Sequence, residues 1–280
     1  MIQIISLIVS VFFLSLSPWK SIHWQRIYSV SGVAAFKDGF LVVHDNKKKN
    51  QPRVSFIDKK YQITPLVWPD PELPYDLESA YQFPNIENRY IFMESTGKCY
   101  EASVDPKDYR IDILHTYTLP KLKPTMNLEG IAIFPSGQGL IMIYGDRGSD
   151  TRKSTLFTAL FNPKSKSFKE VKTLTFDLPQ PKMNKRNIAD LALKTDGSLW
   201  CSATSDPGDN GPFSTFIYEL GQFSHAGAFT PTHPDLLKAI MAFDGQKVEA
   251  MLFQKNKLVL MTDNENSGAT FLSIEREIND

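Results

Sequence analysis

The 280-residue chain reads as all-β, a single five-bladed β-propeller. Three observations predict it. A strand–turn–strand unit recurs five times, further β-forming runs follow each copy, and no long segment sustains a helical period. The opening runs are GVAAF (32–36), ESAYQF (78–83), EGIAIF (129–134), DLAL (190–193) and EAMLF (249–253), with first residues 46, 51, 61 and 59 positions apart.

Each opening run ends in a turn: KDG (37–39), PN (84–85), PSG (135–137), TDG (195–197) or KN (255–256). Glycine supplies positive φ there, and Asn and Asp tolerate it. A strongly β-forming run returns from the turn, as GFLVVHDN (39–46), RYIFMES (89–95), GLIMIYGDRG (139–148), SLWCSATSD (198–206) and KLVLMTDNE (257–265). Two more strands complete the first four copies: RVSFID and YQITPLVW, KCYEASV and RIDILHTYTL, TLFTALF and FKEVKTLTF, STFIYEL and QFSHAGAF. Four short strands per roughly 50 residues is the pattern of propeller blades. The fifth copy has only three, ending in ATFLSIE (269–275), so HWQRIYSV (23–30) is expected to supply its outer strand and close the ring. One helical pattern, residues 234–241, precedes the fifth copy with Pro234 at its first turn. WPDPELPYD (68–76) and LPQPKMNKRN (178–187) are proline-rich connections between blades. The strand aromatics Phe40, Tyr81, Phe92, Phe134, Tyr144, Trp200 and Phe253 are expected to pack between blades.

Composition removes several classes of function. With 31 basic and 31 acidic residues the formal charge is zero, which argues against nucleic-acid binding and against a basic membrane-surface module. KKKN (47–50) reads as a solvated loop tip. Two cysteines make neither a disulfide framework nor a four-cysteine zinc site, and Cys99 and Cys201 are expected to be separate buried thiols. Residues 2–17 carry no charge. They are short for a membrane span of about 20 residues and near the length of a signal-peptide core. Residues 1–18 are therefore expected to be a cleaved signal peptide, or an anchor extending through Trp19, leaving the propeller at 22–280 in a secreted or periplasmic setting. A monomer is expected.

In a propeller the innermost strand starts at one face and the second strand returns to it. The leading residues Gly32, Glu78, Glu129, Asp190 and Glu249 should therefore share an opening with the second-strand ends. Those ends bring Asp45, Asp146, Arg147, Asp263 and Asn264 as candidate substrate contacts. Like-charged carboxylates crowded round a channel raise one another's pKa. A bound Ca²⁺ held by Glu78, Glu129, Asp190 and Glu249 would relieve this, since Ca²⁺ takes many oxygen ligands in flexible geometry. Two alternatives stand beside it: the acids cap backbone amides or pair with arginine, fastening the blades, or they share protons. Arg147 is placed to meet an anionic substrate group or a rim acid, and His44 to serve as general base or as an ordinary strand-end histidine. No G-x-S-x-G elbow, H-E-x-x-H zinc motif or phosphate-binding loop is present. That leaves metal-assisted hydrolysis as the enzyme reading and, as the other, a non-catalytic scaffold whose propeller face holds a protein partner or a cell-envelope ligand.

DLESA, NLEGIAIFPSG, KVEAM and LMTDNE resemble the Glu-bearing blade starts of bacterial esterase-like phytase propellers and related secreted propellers, and LIMIYGDRG and DNGPFSTFIYELG are similar in style. The resemblance touches all five repeats. It implies a five-bladed propeller, metal or substrate contacts at Glu78, Glu129 and Glu249, and Ca²⁺-dependent cleavage of a small anionic phosphoester or an ester. The chain departs from the pattern at Gly32 and at Asp190, which no glycine follows.

Overall fold

The structure, a computed structural model, describes residues 18–69 and 72–275. The apolar run at 2–17 lies outside the described residues. Among the described residues no helix is long and apolar enough to cross a membrane.

Five antiparallel sheets surround one axis, and they are the five repeats. Strand β1 (Lys20–His23) comes first and belongs to the last blade. Blade one is β2 (Gly32–Phe36), β3 (Gly39–Val43), β4 (Val54–Ile57) and β5 (Ile63–Leu66). Blade two is β6 (Leu77–Gln82), β7 (Arg89–Glu94), β8 (Lys98–Val104) and β9 (Ile111–Thr118). Blade three is β10 (Leu128–Ser136), β11 (Gly139–Asp146), β12 (Ser154–Asn162) and β13 (Ser167–Phe176). Blade four is β14 (Lys185–Leu193), β15 (Ser198–Ser205), β16 (Ser214–Phe223), β17 (Phe229–Pro231) and β18 (Met241–Asp244). Blade five is β19 (Val248–Gln254), β20 (Lys257–Thr262), β21 (Ala269–Glu275) and, outermost, β1.

The core is divided among the seams. Five apolar clusters lie one at each blade-to-blade contact, so every sheet is covered on both faces. Inner strands are therefore mostly buried along their length, while the outermost β9 and β13 are mostly exposed or half-buried. Trp200 of β15 shows the packing: it is 1% exposed and meets Phe253 of β19 edge-on at 5.2 Å. Cys99 and Cys201 are buried and free.

Gly32, in the position that other repeats fill with larger residues, is explained by blade contact. A Cβ there would lie 2.6 Å from the Ser79 Cα and 2.7 Å from the Ala80 N, both backbone atoms of the next blade. Gly130 is held by the same constraint, with Leu191 N at 2.7 Å from its would-be Cβ.

Three expected elements differ. The closing strand is Lys20–His23, not 23–30. Beyond it the chain leaves β21 and makes a 3₁₀ turn at Arg26–Tyr28, drawn toward the mouth by the Arg26–Glu265 (2.6 Å) and Arg26–Asp209 (3.1 Å) ion pairs. The helix expected at 234–241 is one 3₁₀ turn, Pro234–Leu236. The following Met241–Asp244 instead pairs with β16, satisfying its open edge, and Phe243 packs on Trp19. QFSHAGAF is not one strand. β16 continues to Phe223, and the outer position is shared by β17 and β18.

Candidate active site at the propeller mouth

The inner strands enter the channel through β-bulges. The register of β6 against β7 shifts between Leu77 and Ser79, that of β10 between Leu128 and Gly130, and that of β19 between Val248 and Ala250. The bulged residues are Glu78, Glu129 and Glu249. A bulge re-aims a side chain. Here it releases each glutamate from strict alternation while Leu77, Leu128 and Val248 stay fully buried. Blade four is irregular over a longer stretch, between Arg186 and Asp190. There Arg186 reaches the mouth, and Asp190 is turned toward blade five.

The result is a polar cavity of about 310 Å³, whose wall carries eight carboxylates and five basic groups. Two cations organise it, one buried and one half-buried. Lys247, 1% exposed, places Nζ 2.5 Å from Glu265, 3.4 Å from both Glu249 and Asp263, and 3.6 Å from Asp206. Arg186 reaches Glu249 at 3.0 Å and Glu129 at 3.5 Å, and pairs with Asp206. Arg147 adds a 3.1 Å contact to Glu129. Burial works against both cations, but the surrounding carboxylates outweigh it and raise the Lys247 ammonium and the Arg186 guanidinium above their ordinary values. The same contacts keep acids ionised. Burial would lift the Asp263 carboxyl, yet Lys247, the Glu265 amide and Ser29 bring it below the usual range. Asp206 is lowered in the same way, by Arg186 and Lys247 against burial.

Two carboxyls of the wall lack any hydrogen-bond or ion-pair partner among the described residues: Asp45, at the end of the second strand of blade one, and Glu78. Burial first, then Asp263, Glu265 and Asp76, push Asp45 up to about 7 against the pull of Lys247. Glu78, 6% exposed, is raised well above the carboxylate range by burial and by Glu129, Asp76, Asp45 and Glu249.

Of the residues marked in the sequence, Asp45, Glu78, Arg147, Glu249 and Asp263 line this cavity, and Glu129 braces it from beneath through Arg147 and Arg186. Four others do not line it. His44 is fully buried, with Nδ1 2.6 Å from the Ser29 carbonyl and Nε2 2.8 Å from the Ser55 hydroxyl. Burial pushes its pKa down to about 4, so it stays neutral and joins strands. Asp146 is fully buried, gripped by Arg152 and accepting from the Asn127 amide at 2.9 Å. Asp190 accepts from the Met251 amide at 2.6 Å and so ties blade four to blade five. Asn264 accepts from the Lys247 amide at 2.8 Å and donates to Gln246.

Lys247, Arg186, Asp76, Glu265 and Arg26 were not singled out in the sequence. A signal existed for two of them. Asp76 and Lys247 each stand two positions before a marked glutamate, Glu78 and Glu249, across a buried apolar residue.

A bound Ca²⁺ fits this donor set poorly. Among the described residues no group of three or more His, Cys, Asp or Glu side chains is arranged to hold a metal. Glu129, Glu249, Asp263 and Glu265 already pair with protein cations, which would repel a divalent ion in a site of low dielectric.

No known family profile matches the chain, and no curated protein matches it in sequence. Solved structures do match in fold. One is an exo-1,5-α-L-arabinanase from a bovine ruminal metagenomic library, with TM-score 0.55 and 10% identity, covering 88% of this chain and 93% of that one. Another is a thermostable family-43 glycoside hydrolase, with TM-score 0.53 and 10% identity, over 90% and 91%. A third comes from the GH130 family of mannoside phosphorylases, which contains glycoside hydrolases that target β-1,2 mannosidic linkages in Candida mannan. Its TM-score is 0.51 at 10% identity, over 91% and 86%. The chain thus shares its β-propeller fold with glycoside hydrolases, and identity this low establishes the fold alone.

Proposed function

We propose that the protein is a hydrolase working in the mouth cavity by paired carboxyl chemistry, with Asp45 as proton donor and Asp263 as the ionised partner. The observation that carries this is the split between them: two acids on one wall, one pushed up to about 7 and the other held low beside Lys247. Titratable pairs driven apart by their surroundings mark acid and base roles. Asp45 would protonate the leaving oxygen as its bond to carbon breaks. Asp263 would take a proton from the attacking water, whose oxygen bonds to that carbon. The occurrence of this fold in glycoside hydrolases makes a glycosidic bond the first to test.

Esters come next, and Ca²⁺-dependent phosphoester cleavage last. A wall with more carboxylates than bases repels phosphate, and Arg147 already spends part of its guanidinium on Glu129. A place outside the cytoplasm, read from residues 2–17, belongs to the same proposal.

The test is a panel of aryl glycosides, esters and phosphates, assayed with Ca²⁺ and with chelator, on wild type, D45N and D263N. Turnover that falls by about 10²-fold or more in each variant supports the pair. Absence of turnover on every substrate rejects the enzyme. Saturable binding that survives both substitutions would favour a non-catalytic scaffold instead.

A further inference from the structure

Glu78 plays no part in the proposed acid–base pair, and its surroundings are unusual. It is buried, lines the mouth cavity, and has no hydrogen-bond or ion-pair partner among the described residues. The cations near it are committed elsewhere. Lys47 pairs with Asp76 at 2.8 Å, Arg186 with Glu249, Glu129 and Asp206, Arg147 with Glu129, and Lys247 with Glu265, Glu249 and Asp263. The carboxylates facing Glu78 from blades one, two, three and five are Asp45, Asp76, Glu129 and Glu249. A buried, unpaired carboxyl amid acids is a place where one positive charge is missing.

Resting on the reading of this cavity as the substrate site, we propose that Glu78 anchors a protonated amine of the substrate, so that the substrate class is a sugar-sized molecule carrying an organic ammonium group. An ammonium matches the slot. It brings a single charge and N–H donors, needs no sphere of six to eight oxygens, and fits a cavity of about 310 Å³ beside a small polyhydroxy body. Burial and the neighbouring acids raise Glu78, which favours its protonated form in the empty site. Arrival of the ammonium favours the carboxylate, so uptake releases a proton. No covalent step is involved.

The experiment is isothermal titration at pH 6.5 with D-glucosamine and, as the neutral counterpart, D-glucose. It is run in phosphate and in ACES buffer, whose different ionisation enthalpies report proton release. Wild type should bind glucosamine at least 10-fold more tightly than glucose and release protons on binding. E78Q should lose both the preference and the release while melting at or above the wild-type temperature, since the amide keeps the side chain's shape and removes the cost of burying an ionisable carboxyl among acids. Equal affinities, binding of neither sugar, or a preference that persists in E78Q overturns the proposal. Calcium chloride that binds more tightly than glucosamine in wild type but not in E78Q overturns it in favour of a metal. The readout is binding alone. A protein that selects glucosamine yet cleaves nothing loses the hydrolase reading and keeps this one, and a hydrolase indifferent to amines does the reverse.

Discussion

Lys247 decides more about the mouth than any acid does. It is 1% exposed and within 3.6 Å of four carboxylates, so removing it strands several negative charges in a buried site. K247M is expected to cost about 3–5 kcal/mol, seen as a fall in Tm of roughly 10 °C by calorimetry at pH 7. The loss should shrink at acid pH, where the stranded carboxylates protonate. Asp45 gives a prediction of opposite sign. Its folded pKa, about 7, lies above its unfolded value, so its contribution is fully present below about pH 4. That contribution is lost as pH rises toward 7. D45N should flatten the stability profile between those limits and raise Tm at pH 8 by a few degrees. If Asp45 is the proton donor, wild-type turnover falls above about pH 7, and that limb vanishes with the activity in D45N. These residues were unequally legible. Asp45 and Asp263 could be marked because the repeats align strand ends. Arg186 could not, because the long irregularity before Asp190 breaks the alignment that would have placed it.

Among the strands, the bulges and close approaches carry the design. The inner strand of each blade must bury its apolar residues against two neighbours and still turn a polar group into the channel, and one extra residue in the ladder achieves both. Blade one carries Gly32 because the backbone of blade two lies against it. G32A should cost about 1–3 kcal/mol, read as a lower urea midpoint with an unchanged slope. The β-runs and their turns were readable, since alternation and turn residues are local signals. The 3₁₀ turn at Arg26–Tyr28 and the strand Met241–Asp244 were not. One follows from ion pairs to distant Glu265 and Asp209, the other from an open edge on β16.

For the ring as a whole, closure rests on β1 covering β21. β1 adds Ile22 to the apolar cluster between blades five and one, and without it β21 becomes an exposed edge. A chain beginning at Gln25 is expected to keep its strand content by circular dichroism, melt several degrees lower, and self-associate on size-exclusion chromatography as β21 seeks a partner. Unchanged melting and a monomeric profile would show that the seams alone close the ring.

Blade number and the location of the mouth follow from the amino-acid order, because periodic strands and turns are set by neighbours a few positions apart. Charge balance at the mouth does not. Whether an acid there is ionised, protonated or paired depends on cations brought to it by tertiary contact, Lys247 and Arg147 from within the same folded blade and Arg186 from another. Folding therefore assigned Glu249 to Arg186 and Lys247, left Asp45 and Glu78 unpaired, and withdrew His44, Asp146, Asp190 and Asn264 into the hydrogen bonding of the scaffold.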